Sequence, residues 1–245
     1  MKYDVILWDI DDTLLDFLAA EANAIRACFK KFNLGECDDA MLSYYSALNT
    51  EYWKKLERGE MTKAQILVER FEKFFEHYGL DAHVASDFNA EYQVRLGDTI
   101  VFFPNALETI TELKGKVKQY IVTNGTAIAQ TRKIRNSGIG EIVDGVFISE
   151  RMGYEKPSRE YFDEAFAKIA ADNFEACFVT TDDKGIPCVN RERVIIIGDS
   201  LTSDITGGNN AGIDTCWFNK RCKENTTDLR IDYEIKDLRE VMGIL

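Results

Sequence analysis

The chain has 245 residues and a formal net charge of −12, from 30 basic and 42 acidic side chains, with 45% hydrophobic and 29% charged residues. That length suits one α/β domain carrying an inserted cap, or two small domains, and the composition is that of an ordinary soluble globular protein. The acidic balance argues against nucleic acid or an anionic membrane as partner, but not against a small anionic substrate, because a bound metal ion reverses the local field.

In chain order, Met1-Lys2-Tyr3-Asp4 leads straight into a strand-like run, Tyr3–Trp8, with no signal-peptide pattern. The stretch VILWDIDDTLLDF then crowds Asp9, Asp11 and Asp12 together at the strand's end. Their mutual repulsion costs free energy unless a cation or a reaction compensates. From about Asp16 to Arg95 the period is helical. In MTKAQILVERFEKFFEHYGL, Thr62 and Gln65 form a capping-box pair, Ile66, Leu67, Phe71, Phe74, Phe75 and Tyr78 make an apolar stripe, and Gly79 stops the helix. AEANAIRACFKKFNLG reads as another helix, ending at Gly35.

After Phe103-Pro104 the rhythm becomes strand–helix–strand. Asn105 is expected to cap a helix running through Leu113. VKQYIVTNG is a strand, AIAQTRKIRNSG a helix and GVFIS a short strand. Ser158 caps the helix REYFDEAFAKIA, and RVIIIGDS and IDTCWF are further strands. CFVTT-DDKG-IPCV alternates about a turn and reads as an added hairpin in which Cys177 could face Cys188. The fold class expected is α/β, a Rossmann-like parallel sheet with helices on both faces, interrupted after its first strand by an all-helical cap. The domain reading is a core of residues 1–15 and 98–245, a cap of 16–97, and a hairpin extension at 174–193.

No apolar run approaches the roughly 20 residues of a membrane span. Six cysteines with no C-x-x-C pair fit a cytoplasmic protein with reduced thiols, and the two histidines, His77 and His83, lack a metal-type pattern. The chain is expected to be a monomer or homodimer.

DIDDT, Thr123-Asn124-Gly125 and GDSLTSD (Asp199 to Asp204) each lie just beyond the carboxyl end of a parallel strand, the edge where open α/β sheets bind ligands. Singly, each has a bland reading: an acidic turn, an ordinary turn, a helix N-cap. Together with Lys156-Pro157, in this order and on these strands, they resemble the four motifs of the haloacid dehalogenase superfamily, in its phosphatase branch, and the helical insert resembles that family's cap of the first type. The resemblance implies a phosphomonoester hydrolase working through an aspartyl-phosphate. Asp9 would be the nucleophile and Asp11 the general acid/base. Mg²⁺, or Mn²⁺, would be held by the Asp9 carboxylate, the Asp11 carbonyl and Asp199, with Asp204 beside it orienting its waters or the lysine. Thr123 would donate its hydroxyl to the phosphoryl group with the Asn124 and Gly125 N–H groups assisting, Lys156 would neutralise charge on the phosphoryl group and on the nucleophile, and Thr13 would shape the turn.

Asp11 argues against a dehalogenase, whose reaction has no alkoxide to protonate. WKKLERGEMTKAQILVERF, GYEKP and GDSLTSDITGGNNAGIDTCWFN resemble the bacterial pyrimidine 5′-nucleotidases, which implies a nucleoside monophosphate as substrate. A sugar-phosphate phosphatase (including one acting on N-acylneuraminate 9-phosphate) or a phosphomutase stays open, and so does a catalytically silent protein that binds Mg²⁺ or phosphate. Among the cap aromatics Phe17, Tyr44, Tyr45, Tyr52, Trp53, Phe71, Phe74, Phe75 and Tyr92, Phe17 is the best candidate to touch substrate. The others read as helix–helix core.

Overall fold

The computed structural model describes all 245 residues. Strand β1 (Val5–Trp8) is followed by four helices, α1 (Phe17–Lys31), α2 (Asp39–Glu57), α3 (Lys63–Tyr78) and α4 (Ala85–Asp98). The chain continues through α5 (Ala106–Leu113), β2 (Lys118–Thr123), α6 (Ala127–Ser137), β3 (Gly145–Ile148), α7 (Ser149–Met152), α8 (Arg159–Asp172), β4 (Val179–Thr181) and β5 (Pro187–Val189). It ends with β6 (Val194–Gly198), α9 (Thr206–Ala211), β7 (Asp214–Phe218) and β8 (Tyr233–Ile235).

Two compact units result: Met1–Leu15 with Phe102–Ala127 and Gly138–Leu245, and Asp16–Val101 with Ile128–Ser137. The first holds a six-stranded sheet in the order β3-β2-β1-β6-β7-β8, every pairing parallel. Val5–Trp8 and Val194–Gly198 are buried at every position. That is why these strands are unbroken apolar runs: a parallel sheet covered on both faces has no solvent side on which to place polar residues. Tyr161, Phe162, Phe166 and Ile169 of α8 pack with Val5, Leu7, Val122, Val194 and Ile196 in the main core of this unit. The strand order reverses between β1 and β6, so a crevice opens beyond their carboxyl ends at the switch point of the sheet.

The second unit is helical and has its own core, in which Phe29, Phe71, Phe74, Phe75, Phe88, Tyr45 and Tyr92 are sealed from solvent. Helix α3 starts at the Thr62–Gln65 capping box and stops at Gly79, whose φ of 65° is left-handed. A buried polar network runs through this core. Glu21 accepts from Ser46 and from the Asn49 amide (2.9 Å), and Arg70 donates to Asn49 (2.5 Å) and Asn89 (3.2 Å).

Four local expectations need correcting. Asn105 precedes α5 but does not cap it: its backbone is left-handed (φ 65°) and its amide binds the Asp237 carboxylate at 2.9 and 3.0 Å instead. Helix α1 ends at Lys31 rather than at Gly35, because Asn33 adopts φ 55° and breaks the helical path. In the antiparallel pair β4–β5, Cys188 lies opposite Thr180, while Cys177 precedes the strand with its thiol 4.0 Å from Asp4. The two cysteines therefore do not face each other, and both are free thiols. Strand β8, only three residues long, was not anticipated. No helix is long and apolar enough to cross a membrane.

Candidate active site

Strand β1 delivers Asp9 to the crevice, its N–H held by the Ile197 carbonyl of the neighbouring strand (2.9 Å). The chain then turns sharply: Asp12 has φ 59°, a left-handed value that aspartate tolerates better than most residues. This turn brings Thr13 back beneath the acid. Thr13, fully buried, donates its hydroxyl to Asp9 Oδ2 (3.0 Å) and accepts the Asp199 N–H (3.1 Å). One hydroxyl thus fixes the ends of two strands to each other.

Lys156 approaches Asp9 from the other side. Its ammonium donates to Asp9 Oδ1 (2.8 Å), Asp204 Oδ1 (2.7 Å) and the Val122 carbonyl (2.9 Å). An ammonium has three protons, so all are occupied. The Lys156 backbone is itself clamped: Asn124 donates to its carbonyl (2.7 Å) and accepts its N–H (2.8 Å). Asp204 sits in a π-helical turn, Leu201–Ile205, and its second oxygen accepts the Ser200 N–H (3.1 Å). A Cβ on Gly198 would overlap the Asp204 carboxyl, so only glycine lets this acid reach the lysine. Thr123, at the end of β2, donates its N–H to the Tyr161 hydroxyl (3.1 Å), which donates in turn to the Phe147 carbonyl (2.7 Å). The Gly125 N–H donates to Thr123 Oγ1 (3.1 Å), which leaves the Thr123 proton to be given to another acceptor.

Ligand atoms of Asp9, Asp199 and Asp204 lie within 4.8 Å of one another. Burial pushes the Asp9 carboxyl up to about 7; Lys156 opposes the rise, and Asp204 and Asp11 add to it. Burial also lifts Asp199 well above the carboxylate range, with Asp9 and Asp204 reinforcing the rise. Burial works against the charge of Lys156, but Asp204 and then Asp9 outweigh it, and the ammonium is held more firmly than usual. One lysine therefore faces more carboxylate charge than it can balance. The hydrogen bonds of Asp199 run through its main chain, to Thr13 and from the Trp217 indole (2.9 Å). Hard oxygen donors with unbalanced negative charge fit a divalent cation, with Asp9 and Asp199 the residues to hold it.

Of the residues singled out in the sequence, Asp9, Asp199, Asp204 and Lys156 come together directly, and Thr123, Asn124 and Gly125 join them at the end of β2. Asp11 follows within the same turn, half-buried, and its backbone bridges to Leu15. Phe17 begins α1 in the helical unit, half-buried, with the Lys133 ammonium 5.3 Å from its ring centroid. Tyr45, Phe71, Phe74, Phe75 and Tyr92 are sealed in the helical core, where no ligand reaches them. Sequence reasoning undervalued Thr13, and it missed the Asn124 side-chain clamp and the Tyr161 support. For Thr13 the signal was its place four residues after Asp9; the other two join distant stretches and left no local mark.

A parallel sheet that brings buried aspartates and a buried lysine together at its switch point fits a metal-assisted hydrolase of the phosphatase type. Comparison with known proteins agrees. The family model of haloacid dehalogenase-like hydrolases matches residues 3–212. YfnB of Bacillus subtilis, named as a HAD-hydrolase, is 36% identical over 244 residues, covering 100% of this chain and 96% of that protein. The pyrimidine 5′-nucleotidase PynA of Streptococcus pneumoniae is 32% identical over 247 residues, covering 100% and 96%. A crystal structure of YfnB bound to magnesium superposes with a TM-score of 0.86 at 33% identity, covering 100% of this chain and 99% of that one. The chain belongs to the haloacid dehalogenase-like hydrolases, and it carries the inserted helical cap.

Proposed function

We propose that the protein is a Mg²⁺-dependent phosphomonoesterase that works through an aspartyl-phosphate on Asp9 and takes nucleoside 5′-monophosphates, pyrimidine ones first. The observation that carries the mechanism is the seating of Asp9: Lys156 holds one carboxylate oxygen and Thr13 the other. A carboxylate fixed at both oxygens keeps lone pairs aimed into the crevice and loses little freedom on reaching the reactive geometry. The nucleotide reading is supported by the likeness to PynA, whose name states that activity, over the whole chain.

In the first step an Asp9 oxygen attacks phosphorus. The bond from phosphorus to the ester oxygen breaks, and Asp11 gives its proton to that oxygen. In the second, water attacks the phosphorus of the acyl phosphate, Asp11 takes a proton from it, and inorganic phosphate leaves with Asp9 restored as carboxylate. Thr123 donates its hydroxyl to a phosphoryl oxygen, assisted by the Asn124 N–H. Lys156, with its three protons engaged, acts on the chemistry by holding Asp9 rather than by reaching the substrate. Asp204 fixes Lys156, and Asn124 fixes the lysine's backbone. Bound Mg²⁺, held by Asp9, Asp199 and the Asp11 carbonyl, supplies the positive charge that the acids lack and offsets charge on the phosphoryl group.

Phosphate release measured with and without Mg²⁺ across UMP, dTMP, purine monophosphates, sugar phosphates and N-acetylneuraminate 9-phosphate tests the reading. Metal-dependent release concentrated on UMP or dTMP supports it. Release mainly from sugar phosphates keeps the aspartate chemistry and overturns the substrate. Phosphate transfer within a sugar without release identifies a mutase.

A further inference from the structure

Strand β7 pairs with β6, so the chain leaving Phe218 emerges at the same edge of the sheet as Asp199. Asn219, buried there, closes a turn from within. Its amide donates to the Lys223 carbonyl (2.9 Å) and to Glu234 (2.7 Å), and its side-chain oxygen accepts the Lys223 N–H (2.8 Å). The Asn219 carbonyl accepts the Cys222 N–H (3.1 Å), and its own N–H is held by Ile235 (2.8 Å). The turn is therefore set by the fold, while Lys220, Arg221 and Lys223 project from it exposed. Three cations fall within residues 220–223 of a chain whose net charge is −12. With Asp12, Phe103 and Asp199 they line an open cleft.

Their local partners are weak. The Arg221 guanidinium is 3.4 Å from Asp12 and the Lys220 ammonium 3.7 Å from the Phe103 ring centroid. Exposed contacts of this kind contribute about 1 kcal/mol or less each, so a charged ligand readily replaces them. A dianionic phosphate accepts charge-assisted hydrogen bonds from all three cations at once. The preset turn lowers the ordering cost of that binding.

We propose that the turn from Asn219 to Lys223 forms a second phosphate subsite on the catalytic unit, adjoining the aspartate cluster at Asp199, in which Lys220, Arg221 and Lys223 bind a phosphate dianion. That phosphate has two possible sources: a second phosphate on the substrate, or the inorganic phosphate that the reaction releases. Only the choice between them rests on the phosphatase reading above.

The test is calorimetric titration of inorganic pyrophosphate into the metal-free full chain, beside the variant carrying Lys220→Gln, Arg221→Gln and Lys223→Gln. All three positions are exposed, and an unchanged melting curve shows that the variant is folded. The subsite predicts binding to the parent protein that weakens steeply with salt and is at least about tenfold weaker in the variant. Equal affinity in both proteins, or binding in neither, overturns it. This outcome needs no turnover, so it stands apart from any failure of the hydrolase reading. With Mg²⁺ present, kinetics then separate the sources. A rise in KM for a nucleoside 3′,5′-bisphosphate about tenfold greater than any change in KM for the monophosphate assigns the site to substrate. A rise in the inhibition constant of inorganic phosphate alone assigns it to product. No change in either contradicts the subsite.

Discussion

The acids of the crevice make a testable link between pH, metal and stability. Asp9 has its carboxyl raised from an ordinary value of 3.8 to about 7 in the folded, metal-free protein, first by burial. A folded value above the unfolded one means that the protonated form favours the fold. The contribution is fully present below about pH 4 and is lost as pH rises through about 7. The whole shift corresponds to at most ~4 kcal/mol, of which ~3 kcal/mol is lost between pH 5 and pH 8. Asp199 is raised in the same direction and adds to the loss. The ammonium of Lys156 titrates above this window and does not oppose it. At roughly 2–4 °C per kcal/mol for a chain of this size, the metal-free protein should melt on the order of 6–12 °C lower at pH 8 than at pH 5. Because the deprotonated acids are the proposed metal ligands, Mg²⁺ should restore most of that loss at pH 8 and do little at pH 5. Scanning fluorimetry from pH 5 to 8, in EDTA and in excess Mg²⁺, reads both effects. A Mg²⁺ gain that is flat across pH, or larger at pH 5, would refute the reasoning.

Further expectations follow from single contacts. Thr13→Val keeps the volume but removes the hydroxyl that joins Asp9 to Asp199; phosphate release should fall by roughly 10–100-fold, with a loss of about 1–3 kcal/mol in urea titration. Asn124→Ala frees the Lys156 backbone, so kcat should drop while Mg²⁺ affinity, read by calorimetry, stays within about twofold, because neither metal-holding carboxylate binds Asn124. Gly198→Ala drives a methyl into the Asp204 carboxyl; loss of soluble protein, or of activity together with a lowered melting point, is expected, and a fully active variant would contradict the close approach. Arg70→Ala strips the buried network of the helical unit of its cation, at a cost of about 3 kcal/mol or more, seen as a melting point lower by roughly 6 °C or more.

Much of this was legible in the sequence because the signals were local and periodic. The apolar runs of β1 and β6 announced a covered parallel sheet, and the Thr62–Gln65 box with Gly79 fixed both ends of α3. The clustered aspartates stood out because such charge needs compensation. What escaped was set by tertiary contact. Asn105 has the right type and place for a cap, yet Asp237, more than a hundred residues away, offers its amide a charged partner. Strand β8 is too short to show a period and exists because β7 presents an open edge. A lysine beside the nucleophile was expected; what only the structure shows is that all three of its protons are engaged, by Asp9, Asp204 and the Val122 carbonyl.

The most direct test of the central claim compares the parent protein with Asp9→Asn for phosphate release from UMP and dTMP in Mg²⁺. The amide keeps the shape of the side chain but is a far weaker nucleophile. The variant should remain folded and melt cooperatively while kcat falls by more than about a thousandfold. Turnover retained near the parent's rate would contradict attack by Asp9 and the aspartyl-phosphate with it.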